Sequence, residues 1–123
     1  MQNLDQIRAA AASKHVPLGE NHPFDKSDLA GIPALILANG LLSTVAFCCE
    51  MDSRKPKRPG MSYAIDALAE HLKELHITSA ATGQKLIEDL AAQNQNLTLQ
   101  RATTESLAFF GYMKRFARPA AAH

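Results

Sequence analysis

Two cysteines are all the chain contains, and they are neighbours, Cys48 and Cys49. Adjacent residues cannot close an unstrained disulfide. A disulfide-stapled scaffold is therefore excluded, and a reducing, cytoplasmic setting is expected. Their apolar surroundings mark them as packed side chains rather than nucleophiles. Net charge is equally scarce, +1 over 123 residues, so no global field draws the chain to nucleic acid. The six glycines are scattered and build no phosphate loop. His71 and His76 are five apart, about 140° around a helix. That misses the two-ligand spacing of a helical metal site and suits surface histidines near a helix end. Asp66, Glu70 and Glu74 recur at i+4, as a solvated helix face does. No convergent catalytic set remains, so no enzyme, metal or cofactor is expected. The start MQNLDQIRAAAASKH is polar and amphipathic, so no signal peptide is expected, and there is no internal repeat or low-complexity tract.

What the chain does have is apolar periodicity at helical spacing. Residues 3–16 predict a first helix with Asn3 as N-cap, closed by Pro17, Gly19 and Pro23 in a loop over 17–27, where Ser27 or Asp28 could cap a short turn. Ile32–Met51 predicts a central helix, apolar almost all round, with Pro33 in its first turn. The segment DSRKPKRPG after it is read as a basic loop forming neither helix nor sheet. A third helix is predicted over 62–75 (Ile65, Leu68, Leu72 and Leu75 as its seam) and a short fourth around Leu86, Ile87 and Leu90. QNQN breaks that one. The last runs from about Leu97 to Ala117, with Asn96 as N-cap and Leu99, Ala102, Thr103, Leu107, Phe110 and Met113 on one side, widened by Phe109 and Phe116. No alternating run is long enough for a strand. The fold class is all-α: a single-domain bundle over 1–123 of about five helices around the buried central one, with 119–123 a flexible tail.

The central segment also admits a membrane reading, because residues 32–49 carry no formal charge and a basic cluster follows. Three features argue for bundle core instead. Asn39-Gly40 would sit near mid-bilayer, where an unpaired amide is costly. Pro33 leaves about 17 usable residues, the lower limit for spanning. The other helices each carry an apolar stripe that needs something to pack on. No membrane association is expected.

Charge is unevenly spread. Residues 1–50 sum to −2, 51–60 to +3, 61–100 to −3 and 101–123 to +3. Arg54, Lys55, Lys57 and Arg58 form one basic cluster, and Lys114, Arg115 and Arg118 another at the end of the last helix, where the helix dipole also favours cations. Asn39 lies on the narrow polar strip of the central helix. It either completes an internal hydrogen-bond network, the reading favoured here, or faces a partner.

Two segments, IPALILANGLLSTVAF and RATTESLAFFGYMKRFA, resemble the signatures of the small α-helical subunit of the type III-B CRISPR (Cmr) effector complex. In the first, Asn39, Gly40 and Leu41 match the family's Asn-Gly-Leu step. In the second, Thr103, Glu105, Leu107, Ala108, Phe109, Tyr112, Lys114, Arg115, Phe116 and Ala117 match its closing helix, and Gln6, Arg8 and Ala9 match its start. Tyr112 stands where the family often has Trp, and Leu99-Gln100 replaces an aromatic–basic pair. The resemblance implies a non-catalytic helical subunit of an antiviral ribonucleoprotein. Copies would stack beside the backbone subunits and the large subunit, and help hold guide and target RNA. On this reading Arg8, Lys14, Arg101, Lys114 and Arg115 are expected to contact the RNA backbone, with Lys57 and Arg58 second. A helical adaptor that touches proteins only is the alternative.

Overall fold

A computed structural model of the chain describes residues 3–16, 26–92 and 96–117. Among the described residues there are six helices and one two-stranded ribbon: α1 Leu4–His15, α2 Lys26–Asn39, α3 Leu41–Cys48, β1 Met51–Asp52, β2 Lys55–Pro56, α4 Pro59–Glu74, α5 Gly83–Ala92 and α6 Asn96–Phe116. The all-α class holds. Residues 17–25 of the loop expected over 17–27, the QNQ stretch at 93–95, Arg118 and the tail at 119–123 lie outside the described residues.

Asn3 opens α1 with a complete capping box: its side chain accepts from the Gln6 N–H, and the Gln6 side chain accepts from the Asn3 N–H, both at 2.8 Å. Asp5 in the first turn and Lys14 in the last complement the helix dipole. The first helix is where the sequence puts it.

The expected central helix is two helices. Gly40 breaks it, at φ +86° and ψ 163°, a region closed to side chains with a Cβ. Its N–H ends α2 by donating to the Ile36 carbonyl at 2.8 Å, and its own carbonyl starts α3 by accepting from the Thr44 N–H and hydroxyl. At the other end α2 begins at Lys26, so Ser27 and Asp28 lie in its first turn and Pro33 is interior. Pro33 cannot donate to the Leu29 carbonyl, a defect of about 3 kcal/mol. Leu29 and Ile32, both fully buried, contribute about 3–6 kcal/mol between them, and that outweighs it. The apolar stripe carries the helix through the proline.

Nor is this segment buried all round. Ala34, Leu37, Ala38, Asn39, Ser43, Ala46 and Phe47 are exposed, and the core is shared with α4 and α6, whose Leu68, Leu72, Phe109, Phe110 and Met113 are as fully buried as Ile32 and Val45. Among the described residues no helix is long and apolar enough to cross a membrane.

Gly40→Ala tests the break. A Cβ there meets nothing within 4 Å, so the cost is purely conformational, about 1–3 kcal/mol. Asn39→Ala next to it, at an exposed side chain, should change stability by less than about 0.5 kcal/mol. Urea denaturation of the two variants reads both, and a neutral Gly40→Ala would mean the kink is not enforced.

The basic stretch after α3 is a hairpin, not a loop without sheet. Met51 pairs with Pro56 and Asp52 with Lys55 in an antiparallel ladder, and the Lys57 N–H donates to the Glu50 carbonyl at 2.8 Å. Ser53, at φ +60°, makes the turn. In a ribbon this short both strands are edges, so Pro56 takes a position that needs no ladder donor. Pro59 then opens α4 at its first position, three residues before the expected start. α4 ends in a Schellman motif, with His76 at φ +59° and the Ile77 N–H on the Leu72 carbonyl at 3.0 Å.

α1 and α2 pack on α6, and α5 packs on α3 and α4. Arg8 meets Glu105 and His15 meets Phe109, so α1 runs parallel to α6. α6 is turned relative to the expected face. Its buried line is Ala102, Glu105, Ser106, Phe109, Phe110 and Met113, while Leu99, Thr103 and Leu107 are only half-buried.

Candidate nucleic-acid interface

The seven cations expected to meet RNA fall into two sets. Arg8, Lys14 and Arg58 are already engaged by carboxylates. Arg8 forks onto Glu105, with Nη2 on Oε1 and Nε on Oε2, both at 2.9 Å, and also reaches Asp5. Lys14 is paired with Glu70 and stands 3.9 Å from Glu74. The Lys14 bond holds the Glu70 carboxyl below its ordinary value, and the same bond raises the Lys14 ammonium. Arg58 donates to the Phe47 carbonyl and to Glu50, each at 2.9 Å, while its guanidinium lies 3.6 Å over the Phe47 ring. It ties the hairpin to the end of α3.

Lys57, Arg101, Lys114 and Arg115 are exposed and have no carboxylate partner among the described residues. Three of these four stand on α6. At 100° per residue, Arg101, Thr104, Ala108, Gly111 and Arg115 fall within about 80° of one another, and Arg101 and Arg115 are about 21 Å apart along the axis. Lys114 borders this stripe, and the Arg115 guanidinium lies 5.8 Å from the Tyr112 ring centroid. Lys57 sits apart from them, on the hairpin side of α4.

α6 has a single carboxylate, Glu105, and it points inward, 4% exposed. Besides Arg8 it meets His71 Nε2 at 2.8 Å. An ionised carboxylate only accepts, so that ring nitrogen donates. The imidazole is stacked on Phe109, centroids 4.6 Å apart at 14°, and its Nδ1 is buried without a partner. Burial pushes the Glu105 carboxyl up, but the bonds from Arg8 and His71 outweigh it and hold it below the ordinary value. The Glu105 bond likewise raises the Arg8 guanidinium. His71 is thus no surface histidine: at 1% exposure it is part of the core, while His76 is exposed. Sequence reasoning gave Glu105 no inward role, although it sits three residues after Ala102 and four before Phe109, on the apolar stripe. With its only acid turned inward, the outward face of α6 carries charge of one sign, that of Arg101, Lys114 and Arg115.

Gly111 lies inside that face. A Cβ added to it meets nothing within 4 Å, and its φ is not positive. A glycine in a helix interior costs about 1 kcal/mol relative to alanine, and neither backbone strain nor packing in this chain accounts for it.

A groove of about 420 Å³ opens at the α6 N-terminus, where Leu4, Leu75, Ile77 and Leu97 line it together with Gln100, Arg101, Thr104 and Glu105. Among the described residues no cluster of three or more His, Cys, Asp or Glu is arranged to hold a metal. Burial pushes the Cys48 thiol up to about 11 and the Cys49 thiol up to about 12, so both are protonated at neutral pH. Asn39 is exposed, and among the described residues its side chain joins no internal hydrogen-bond network of the kind favoured for it.

No curated relative and no solved structure gives a significant match to the chain. The family model of the CRISPR-associated protein (Cas_Cmr5) matches residues 4–120, nearly its whole length. The chain belongs to that family and is a small subunit of the type III-B (Cmr) CRISPR system.

Proposed function

We propose that this subunit is a non-catalytic, cytoplasmic scaffold of the type III-B ribonucleoprotein in antiviral defence, helping to hold the sugar–phosphate backbone of guide and target RNA against the outer face of α6. The observation that carries the reading is the cationic stripe: Arg101, Lys114 and Arg115 meet no carboxylate among the described residues, and the one acid of the helix is buried beneath them. Such a face neutralises phosphates and reads no sequence. Lys57 adds a fourth contact from the hairpin. Arg8, Lys14 and Arg58 leave the RNA set, because carboxylates already neutralise them.

Four cations on single-stranded RNA give a slope of log K against log salt near −2.8. A single copy binds weakly, and repeated copies gain by avidity. The test is photo-cross-linking of RNA in the assembled complex. Adducts should map to peptides of α6; adducts confined to neighbouring subunits would leave the protein adaptor as the better reading.

A second contact surface accompanies the first. From Leu29 to Cys49 there is no formal charge, and the outward side chains there include Leu37, 76% exposed, and the unbonded Asn39. Charge-depleted apolar surface of this kind suits protein neighbours, the large and backbone subunits or further copies of this chain. Asn39 belongs to that contact.

A further inference from the structure

We infer that Gly111 is the point of closest approach between α6 and the RNA backbone, a bare patch of helix that admits a phosphate to the reach of Lys114 and Arg115. The inference rests on the RNA reading above and goes beyond it by assigning a position whose role is not charge. Three observations converge. Gly111 is a helix-interior glycine that neither a positive φ nor a neighbouring side chain requires. It precedes Lys114 by three residues and Arg115 by four, the spacings that place side chains on one face. Helical side chains also lean toward the N-terminus and cover the turn before their own Cα. The two cations therefore project along the turn that Gly111 leaves empty. Both are exposed, with no carboxylate partner among the described residues.

A ligand entering this gap meets helix backbone below and two cations above. That is the chemistry of an anion on a narrow chain, a phosphodiester, rather than of an apolar helix from a protein, which would leave both charges unpaired. Alanine closes the gap by one methyl group and improves the helix. Its effects on stability and on binding therefore have opposite signs, which no purely structural role reproduces.

The experiment compares wild type, Gly111→Ala and, as a control elsewhere on the exposed surface of α6, Gln100→Ala. The full-length chain is used for thermal melting and for anisotropy titration with labelled single-stranded RNA at low salt. Gly111→Ala should raise the melting temperature by about 3–6 °C. It should weaken RNA binding about tenfold, the loss of one charge-assisted contact, with Gln100→Ala near wild type in both. A raised melting temperature with unchanged RNA affinity overturns the inference and leaves the RNA reading standing. Wild type that binds no RNA, in isolation or in the assembled complex, overturns both. If RNA binding survives in Gly111→Ala but incorporation into the complex fails, the gap receives a protein, and the inference is wrong.

Discussion

Glu105→Gln should lower the stability of the chain by about 3 kcal/mol, more than any exposed substitution. The carboxylate holds together three helices, accepting from Arg8 on α1 and His71 on α4 while standing on α6. Its side chain is 5% exposed, and those of Arg8 and His71 are 17% and 0%. Removing one member of a buried pair leaves an uncompensated charge, an effect of about 3–5 kcal/mol. The remaining exposure of Arg8 puts this case at the lower end. Glutamine keeps the volume but offers one acceptor to three donors. Replacing Arg8, His71 and Glu105 together by Met, Phe and Leu should recover much of the loss, because a buried ionic cluster exchanged for apolar volume is often neutral. If Glu105→Gln proves as mild as the triple variant, the cluster contributes little. Acid adds a second readout. The Glu105 carboxyl lies below its ordinary 4.5 in the folded chain. Its contribution is therefore complete above that value and is lost as pH falls through the lower, folded one. Wild type should lose stability below about pH 4.5, and Glu105→Gln should lose less. Glu70 is shifted in the same direction and contributes equally to both proteins, so the difference between them isolates Glu105.

Much of this architecture was written in local pattern. The Asn3 cap of α1 and the extent of the last helix follow from side chains within a turn or two of one another, and there the expectation and the structure agree, except that Asn96 is the first residue of α6 and not its cap. Where they part, the deciding physics is either a backbone angle or a partner distant in sequence. Ile32–Met51 reads as one helix because hydrophobicity runs on through Asn39-Gly40, and an apolar pattern carries no information about φ. The Asn-Gly dipeptide was itself a break signal, masked by the residues around it. The hairpin was hidden by its prolines, which suit an edge as well as a coil. Counting cations found the basic clusters but could not tell bound from free: Arg8 and Glu105 are 97 residues apart, and only folding joins them. His71 was misread for the same reason, since its partners Glu105 and Phe109 lie on another helix.

Neutralising Lys114 and Arg115 by alanine should weaken RNA binding roughly 25-fold at 0.1 M salt and flatten the salt slope from about −2.8 to about −1.4, since each cation on single-stranded RNA accounts for about 0.7 of it. Reversing them to glutamate should do more. The competing account is that they sit in the last turn of α6 to oppose the helix dipole. That account predicts a stability loss of about 0.3–1 kcal/mol and no change in RNA. The two effects are read separately, by denaturation and by titration over a salt series, so one can be present without the other. Lys14→Ala is the internal control. Lys14 is also exposed and basic, but Glu70 and Glu74 already meet it, so its loss should leave the salt slope unchanged. A slope that falls equally for Lys14→Ala would mean that net charge, not the face of α6, attracts the RNA. A slope lost only with the α6 cations makes geometry the cause: the buried Glu105 removes the one carboxylate that would otherwise share their face.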